Sequence, residues 1–408
     1  MVNKNYLTAK IKLKPTGEQT DILWQLSEAA RQTYNLALEQ RRMLRNNFRA
    51  NISYNKQSAQ LTQIRKEYFS SLHSQTAQSV LKDLDEAFKS YYALVKADSK
   101  ARPPKFRGKK YFYTLTYPQN SYHFEGNNLV LHNPDRLTLK MAGFRDIPRT
   151  KAIKQIEVSE EKGNFYVNVT CEVTPEQVAK TGKIIAFDPG VKTILAGFDG
   201  EQFVTVDGTI IKKTQKHYAH TLDRLQSKID RSKKGSKRHR RLIKAKKRAL
   251  RKRSARVKQV SHCISKTLAS MEYDAYLIGD WSKKDSLADT KSRKGNRVIN
   301  RAVQNQLPLA KLTDYLFYKT ALKSKQVRKV SEERSSQTCS NCNHIQEIRL
   351  TQRIFHCESC GTKINRDDNA AVNLYRWNAG PVTGPFDKLE RIRLRFVFSR
   401  FNACLTSA

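Results

Sequence analysis

Four cysteines toward the C-terminus have the spacing that most clearly predicts chemistry. Cys339 and Cys342 form one CxxC pair, and Cys357 and Cys360 form a second pair after the fourteen residues 343 to 356. Each CxxC turn places two thiolates on one side of a metal ion, so two such turns predict a tetrahedral Zn²⁺ site. Four thiolates leave no open position, so the predicted zinc is structural. The alternatives are disulfides or cysteines that are near one another by chance.

Two aspartates, Asp188 and Asp367, have positions that suit metal-dependent chemistry. Asp188 closes the apolar run Ile184 to Phe187, and Asp367 lies within Ile364 to Ala371, just after the cysteine pairs. Carboxylates at one edge of a sheet can hold Mg²⁺, and two such ions about 4 Å apart activate water for phosphodiester hydrolysis. Taken alone, Asp188 is more simply interpreted as a turn residue, because Asp-Pro-Gly often marks a turn.

The net charge of the chain indicates a polyanionic partner. The 408 residues include 77 Lys or Arg and 37 Asp or Glu, which gives a net charge of +40 and a pI near 10.0. A protein with so many uncompensated positive charges is expected to bind nucleic acid. A ribosomal type of protein, whose charge lies in basic tails, is the alternative. The position of the charge within the chain decides against it, as the next segment indicates.

The most basic segment is internal and runs from Lys228 to Lys258, with seventeen Lys or Arg and a single acid, Asp230. Apolar residues recur every seven positions from Leu222 to Met271, interrupted only by Ser236, which predicts an apolar stripe on a cationic helix pair with a turn near Gly235. So many unpaired charges favour phosphate contact over a solvated helix face. The residues predicted to bind nucleic acid are Lys233, Lys237, Arg238, Arg240, Arg241, Lys244, Lys247, Arg248 and Arg251.

Hydrophobic patterning divides the rest of the chain into regions of different architecture. Alternation predicts a strand from Leu7 to Leu13, and apolar steps of three and four predict helices over about residues 17 to 97. Short aromatic and β-branched runs predict a small antiparallel β domain from Tyr111 to about Val173. From Lys183 onward strands alternate with helices, which predicts an α/β domain with a mixed sheet.

The chain is expected to be a soluble, cytoplasmic protein without a membrane partner. No apolar run approaches the 18 or so residues that a membrane span requires. The segment from Met1 to Lys14 carries charges where a signal peptide has an apolar core. At about 150 residues per domain, the length predicts two or three domains.

The order of these parts resembles the transposon-encoded TnpB family, whose members are compact relatives of the type V CRISPR effectors. The resemblance covers about residues 5 to 377 and is carried by the strand ending at Asp188, the cysteine pairs and the motif Arg366 to Ala371. It implies a multidomain α+β fold with a RuvC-like nuclease domain of the RNase H type. The implied parts are a β-barrel wedge domain (1–15 and 99–180), a helical recognition domain (16–98), the nuclease domain (181–334 and 362–377), a zinc ribbon (335–361) and a tail (378–408).

The resemblance also implies a function. It would make the protein an RNA-guided DNA endonuclease of a prokaryotic mobile element, which binds a guide RNA from that element and a short DNA motif beside its target. Such a protein would associate with the nucleoid when it binds DNA and would cleave with Mg²⁺, with two ions expected. Asp188 and Asp367 match the first and third catalytic acids of the family. Arg366 and Asn369 would orient Asp367 or hold a backbone phosphate.

The second catalytic acid of the family has no match in this chain. Where the family has Glu-Asp-Leu, the sequence reads Gly279-Asp280-Trp281. Asp280 is a poor substitute, because neighbouring strand residues point to opposite faces. The next predicted strand, Gln326 to Val330, ends just before Glu332 and Glu333. The RNase H topology that the resemblance implies places this strand beside the one ending at Gly279, and neighbouring strands lie about 4.8 Å apart. The hypothesis is therefore a relocated glutamate, so that Asp188, Glu332 and Asp367 form the catalytic, Mg²⁺-binding set.

Two other functions remain open at this point. If no acid replaces Gly279, the protein would be a nuclease-dead, RNA-guided DNA-binding repressor. A transposase that joins DNA ends is less favoured, because the chain lacks the His-hydrophobe-His and Tyr signature of the single-strand transposases. The tail from Asn378 to Ala408 departs from the resemblance, and its mixture of aromatic residues and arginines predicts only an element that docks or aggregates.

Overall fold

The structure is a computed structural model of the chain. The residues that it describes are 5–68, 70–97, 101–143, 153–190, 193–280, 308–348, 352–386, 388–398 and 403–405. Contacts divide the chain into two compact units, Met1–Thr174 and Pro175–Ala408. Residues 281–307 of the predicted nuclease domain, including Trp281, lie outside the described residues. No helix within the described ranges is long and apolar enough to cross a bilayer.

The first unit contains a seven-stranded antiparallel sheet. Its strands are β1 (Asn5–Leu13), β2 (Leu115–Pro118), β3 (Tyr122–Glu125), β4 (Asn128–Leu131), β5 (Leu137–Ala142), β6 (Ile153–Glu161) and β7 (Asn164–Val173). They follow the order β2-β6-β7-β1-β5-β4-β3. The N-terminal strand β1 pairs with β5 and β7, as the alternation near the N-terminus predicted. Closure of this sheet into a barrel stays a prediction.

Three helices complete the first unit: α1 (Gly17–Phe48), α2 (Tyr54–Tyr68) and α3 (Ser74–Ala97). The side chain of Thr16 accepts a hydrogen bond from the backbone of Gln19, and the Gln19 side chain accepts one from the backbone of Thr16. This reciprocal capping box starts α1. Leu23, Leu26 and Tyr34 of α1 are buried, so the predicted helical spacing is confirmed.

The second unit contains a six-stranded mixed sheet and two small two-stranded sheets among the residues described. Its strands are β8 (Ile184–Pro189), β9 (Thr193–Phe198), β10 (Phe203–Asp207), β11 (Ala275–Gly279), β12 (Gln326–Val330), β13 (Ile354–His356), β14 (Lys363–Asn365), β15 (Arg391–Leu394), β16 (Phe396–Phe398) and β17 (Ala403–Leu405). The order of the large sheet is β12-β11-β8-β9-β10-β15. The expectation that the strand ending at Val330 lies beside the strand ending at Gly279 is confirmed.

Helices cover both faces of this sheet and fix which residues share a face. The helices are α4 (Thr209–Asp230), α5 (Lys237–Ser270), α6 (Leu309–Ala321) and α7 (Arg366–Asn378). On one face Phe187 and Ile278 join a core with residues of α5 and α6. On the other face Ala186 and Leu277 pack with Leu374 of α7. Strand alternation therefore assigns each sheet residue to one of two helical layers.

The long basic segment forms the predicted helix pair. Helix α4 ends at Asp230 and α5 begins at Lys237, with Gly235 between them at a φ of +80° that favours glycine. Ser236 caps α5 by accepting a hydrogen bond from the backbone N–H of His239 at 3.1 Å. The turn predicted near Gly235 is confirmed.

Candidate functional site

Asp188, Gly279 and Glu332 lie on the same face of the second sheet. Phe187 pairs with Ile278 in the parallel register, so Asp188 and Gly279, the next residues, are neighbours. Gly279 pairs in turn with Val330, and Glu332 is two residues further on. Since alternate residues share a face, these positions belong to the face that α7 covers. That helix carries Asp367, so the sheet and the helix bring the three predicted acids to one region.

The side chain of Glu332 fills the space that Gly279 leaves. A Cβ atom built on Gly279 would lie 2.7 Å from Oε2 of Glu332 and 3.0 Å from Cδ of Pro189. Oε2 of Glu332 is buried, and no hydrogen-bond partner reaches it within the described part of the chain. A buried carboxylate oxygen without a partner is costly. A cation is the ligand that would relieve that cost.

Asp280 points away from this site, as the alternation predicted. Its carboxylate forms an ion pair with Nζ of Lys329 at 3.0 Å, and its side chain is 59% exposed. Glu333 is also exposed. Neither residue shares the buried environment of Glu332.

Asp367 lies in the first turn of α7. Asn365 caps the helix by accepting a hydrogen bond from the backbone N–H of Asp367 at 2.9 Å. The carboxylate lies 3.4 Å from a guanidinium nitrogen of Arg366 and 3.9 Å from one of Arg353. Two cations therefore lie beside this carboxylate at the N-terminal end of the helix. The closeness of Arg366 agrees with the orienting role that the resemblance implied for it.

The carboxylates of the site repel one another. Burial raises the pKa of Asp188 well above its usual range, and the negative charges of Asp367 and Glu332 add to this. Burial also raises the pKa of Glu332, with a further contribution from Asp280. Oxygen ligands and excess negative charge are what Mg²⁺ requires. The only group of ligand atoms that all lie within 4.8 Å of one another, among the residues described, is the cysteine set, so the carboxylates do not close around one point.

Replacing Asp188 by Asn is expected to stabilise the metal-free protein at neutral pH. Because the pKa of Asp188 is raised in the folded state, the folded protein holds this proton more tightly than the unfolded chain does. The stability that protonation contributes is present below about pH 3.9, the unfolded value, and is lost as the pH rises through the raised pKa. In chelator, calorimetry should show a higher Tm for Asp188→Asn at pH 7 to 8, and a smaller difference near pH 4. A difference independent of pH would contradict this explanation.

The four cysteines form the compact cluster that their spacing predicted. All four Sγ atoms lie within 4.8 Å of one another. The Sγ atoms of Cys339 and Cys360 are 3.7 Å apart, and those of Cys342 and Cys357 are 3.5 Å apart. The paired strands β13 and β14 lie on either side of the second CxxC pair in the sequence. The geometry and the donor atoms fit a closed tetrahedral metal site.

Two buried asparagines of α7 fasten this cysteine cluster to the helix. Asn369 accepts a hydrogen bond from the N–H of Ser340 at 2.9 Å and donates to the carbonyl of Thr338 at 2.7 Å. Asn373 donates to the carbonyls of Ser335 and Thr338. Asn369 is fully buried. The implied role of Asn369 in holding a phosphate is therefore wrong: its amide is already used within the protein.

Asp368 and Arg391 form an ion pair that the sequence did not reveal. Oδ2 of Asp368 lies 2.6 Å from Nη1 of Arg391, and Asp368 is only 3% exposed. The contact is an ion pair by distance, and Oδ2 has no hydrogen-bond partner among the residues described. Burial raises the pKa of Asp368, while Arg391 opposes that shift. Arg391 belongs to β15, so this part of the predicted tail is an edge strand of the sheet beside β10. The one available signal was a second acid beside Asp367.

The predicted nucleic-acid residues lie at the solvent-facing side of the basic helices. Nine were predicted: eight are exposed, and Arg251 is half-exposed. By contrast, the guanidinium of Arg256 lies 4.6 Å from the centre of the Phe398 ring, so that this cation is used in packing. The apolar stripe turns inward at Ile229 and Ile264, which are buried. The helix pair thus separates a packed side from a cationic side.

Comparison with known proteins relates three segments of this chain to described domain models. The OrfB/IS605 model described as "Probable transposase" matches residues 166–283, and the accompanying "Helix-turn-helix domain" matches residues 1–48. The "Cas12f1-like, TNB domain" model matches residues 310–374. Three segments of the chain are therefore similar to the OrfB/IS605 and Cas12f1-like domain models. In the structure, the range of the helix-turn-helix model is β1 followed by one continuous helix, α1.

The chain is also similar to individual proteins over most of its length. The chain is 26% identical over 378 residues to "Putative RNA-guided DNA endonuclease InsQ" of Escherichia coli (strain K12). The aligned region covers 90% of this chain and 90% of that protein. It is 24% identical over 381 residues to a protein of the same description from Streptomyces pristinaespiralis, covering 90% of this chain and 87% of that one. The fold is similar to that of Cas12f1 in a complex with sgRNA and target DNA, with a TM-score of 0.61, 14% identity and coverage of 91% and 99%.

Proposed function

We propose that this protein is an RNA-guided DNA endonuclease encoded by a mobile element and that Asp188, Glu332 and Asp367 are its catalytic acids. The observation that carries the proposal is the buried, unpartnered Oε2 of Glu332 in the space beside Gly279. The relatives named as RNA-guided DNA endonucleases support the guide RNA and the DNA target. A prokaryotic cytoplasmic location is part of the same proposal.

The residues of the site are proposed to have separate roles in binding metal, holding Asp367 and contacting phosphates. Asp188, Glu332 and Asp367 offer oxygen ligands for Mg²⁺, which supplies Lewis-acid stabilisation of the phosphate and a more acidic water when bound. Arg366 and Arg353 hold the carboxylate of Asp367 from one side. The exposed cations of α4, α5 and their connection contact phosphates and position the nucleic acid without reading its sequence.

The cysteine cluster is proposed to hold one structural Zn²⁺. Purified wild-type protein should contain about one zinc per chain, and Cys342→Ser should lose it, because a tetrahedral site needs all four ligands. Loss of the metal removes the link that holds a ribbon too short for its own core, so a lower Tm is expected. Metal analysis and calorimetry measure both effects. Cys263→Ser, outside the cluster, is the matched control; full zinc content in Cys342→Ser would contradict the site.

A cleavage assay tests the proposed function directly. The protein is purified with its co-expressed flanking RNA and incubated with a target plasmid in Mg²⁺ or in chelator. Cleavage that needs both the RNA and Mg²⁺ supports the endonuclease. Tight binding without cleavage would instead support the repressor, for which the Gly279 substitution is the favouring observation. Joined DNA strands would support the transposase.

A further inference from the structure

We propose that Arg391 is a positioning residue for Asp367 and that it acts through the ion pair with Asp368. This inference rests on the proposed function, because it concerns the placement of one of the three proposed acids. It assigns a role in catalysis to β15, a strand from the tail that lies beyond the part of the chain resembling the family.

The first turn of α7 is held by contacts in several directions. The side chain of Asn365 caps its end, and Asn369 binds the backbone of the cysteine ribbon. Asp368 is held by Arg391 at 2.6 Å. Successive helical residues point about 100° apart, so these contacts anchor the turn in several directions around Asp367, whose charge acts on Asp188. Of these anchors, only the Asp368 contact comes from the large sheet.

Arg391 is itself held in place. Its strand β15 runs parallel to β10, with Arg391 opposite Phe203. The N–H of Phe203 donates a hydrogen bond to the carbonyl of Glu390 at 2.9 Å, and the guanidinium of Arg391 lies 4.9 Å from the centre of the Phe203 ring. The cation is therefore a fixed point relative to the sheet that carries Asp188. The ion pair ties the helix carrying Asp367 to that same sheet.

The geometry of a helix sets the size of the expected effect. A side-chain carboxylate lies about 5 to 6 Å from the helix axis, so a rotation of about 10° moves it by about 1 Å. A misplacement of about 1 Å in a reactive arrangement can lower a rate roughly 100-fold. Release of Asp368 removes the contact that most directly opposes such a rotation. A loss of roughly 10- to 100-fold in cleavage rate is the expected result.

The experiment compares four variants of the full chain with its guide RNA. Arg391→Gln and Asp368→Asn each break the pair, the double variant leaves no buried charge unpaired, and Arg393→Gln removes the same charge from the same strand. Arg393 forms no ion pair within the described part of the chain and attracts Asp368 less strongly than Arg391 does. The readouts are the single-turnover cleavage rate against Mg²⁺ concentration, RNA and target affinity, and hydrogen exchange of the amides in the first turn of α7.

Arg391→Gln should cleave roughly 10- to 100-fold more slowly, should need more Mg²⁺ for half-maximal rate, and should exchange faster in the first turn. Its RNA and target affinities should stay within about twofold. The double variant removes the uncompensated buried charge and should regain stability, but its cleavage should stay slow because the link between the helix and the sheet is still missing. Arg393→Gln should lose much less activity than Arg391→Gln, because Arg393 attracts Asp368 more weakly and forms no ion pair with it.

Two results would overturn the inference. One is Arg391→Gln with wild-type rate and Mg²⁺ requirement. The other is a lower Tm without any change in first-turn exchange or Mg²⁺ requirement, which would make the pair purely structural. Failure of the proposed function looks different, since the wild-type protein itself would not cleave. In that case first-turn exchange in Arg391→Gln still decides the positioning claim.

Discussion

Glu332→Gln is expected to lower the cleavage rate roughly 10²- to 10⁴-fold while guide-RNA and target binding stay unchanged. A carboxylate that holds a catalytic ion supports several kcal/mol of transition-state stabilisation, and about 1.36 kcal/mol corresponds to a tenfold change in rate. Gln keeps the shape of Glu and removes the buried charge whose Oε2 has no partner. The Tm in chelator should therefore be equal or higher, so loss of activity would not reflect unfolding.

The matched control for this change is Glu333→Gln. Glu333 is the neighbouring residue and is exposed, so the substitution removes an equal charge without touching the site. Single-turnover cleavage of target plasmid measures both variants. Wild-type cleavage by Glu332→Gln would remove Glu332 from the catalytic set. Equal losses in the two variants would indicate a general charge effect instead.

The second large effect is expected from exchanging residues 279 and 332. Gly279→Glu alone places a Cβ 2.7 Å from Oε2 of Glu332, so the two glutamates compete for one space. Overpacking of this kind costs roughly 1 to 3 kcal/mol, and the adjacent like charges add to it. Gly279→Glu alone should therefore be less stable and should cleave poorly. The double variant Gly279→Glu/Glu332→Gly removes the conflict with Glu332 and leaves only the 3.0 Å approach to Cδ of Pro189, so it should recover cleavage to within roughly tenfold of wild type.

The exchange separates the relocated glutamate from the nuclease-dead alternative. If the site lacks a second acid, Gly279→Glu would supply it and should gain cleavage, whereas Glu332→Gln should change nothing. If Glu332 is the second acid, both single variants should lose cleavage. The alternatives therefore predict opposite signs for the same two proteins.

Periodicity and ligand spacing predicted the parts of the site that depend on local geometry. Two CxxC pairs predicted the cysteine cluster, because the turn that brings such a pair together is local. Strand alternation separated Asp280 from the site, because a side-chain period of two is a property of any strand. The placement of β12 beside β11, which brings Glu332 near Gly279, followed from the RNase H topology that the resemblance implied.

The contacts that anchor α7 could not be predicted in the same way. Asn369 and Asn373 lie one helical turn apart, but nothing in that spacing identifies backbone groups of the ribbon as their partners. Arg391 is more than twenty residues from Asp368, and its strand was not predicted as part of the sheet. Partners chosen by tertiary packing leave no periodic signal. The polar contacts of buried residues are therefore the part of the site that needed the structure.

Plasmid cleavage by four proteins side by side tests the central claim, that Glu332 replaces the acid missing at Gly279. The wild type, Glu332→Gln, Gly279→Glu and the exchange variant are each loaded with the same guide RNA and assayed under single-turnover conditions in Mg²⁺. If Glu332 replaces the missing acid, the wild type and the exchange variant should cleave the plasmid, and either single variant should cleave little of it. Cleavage gained by Gly279→Glu, with Glu332→Gln no different from wild type, would contradict it.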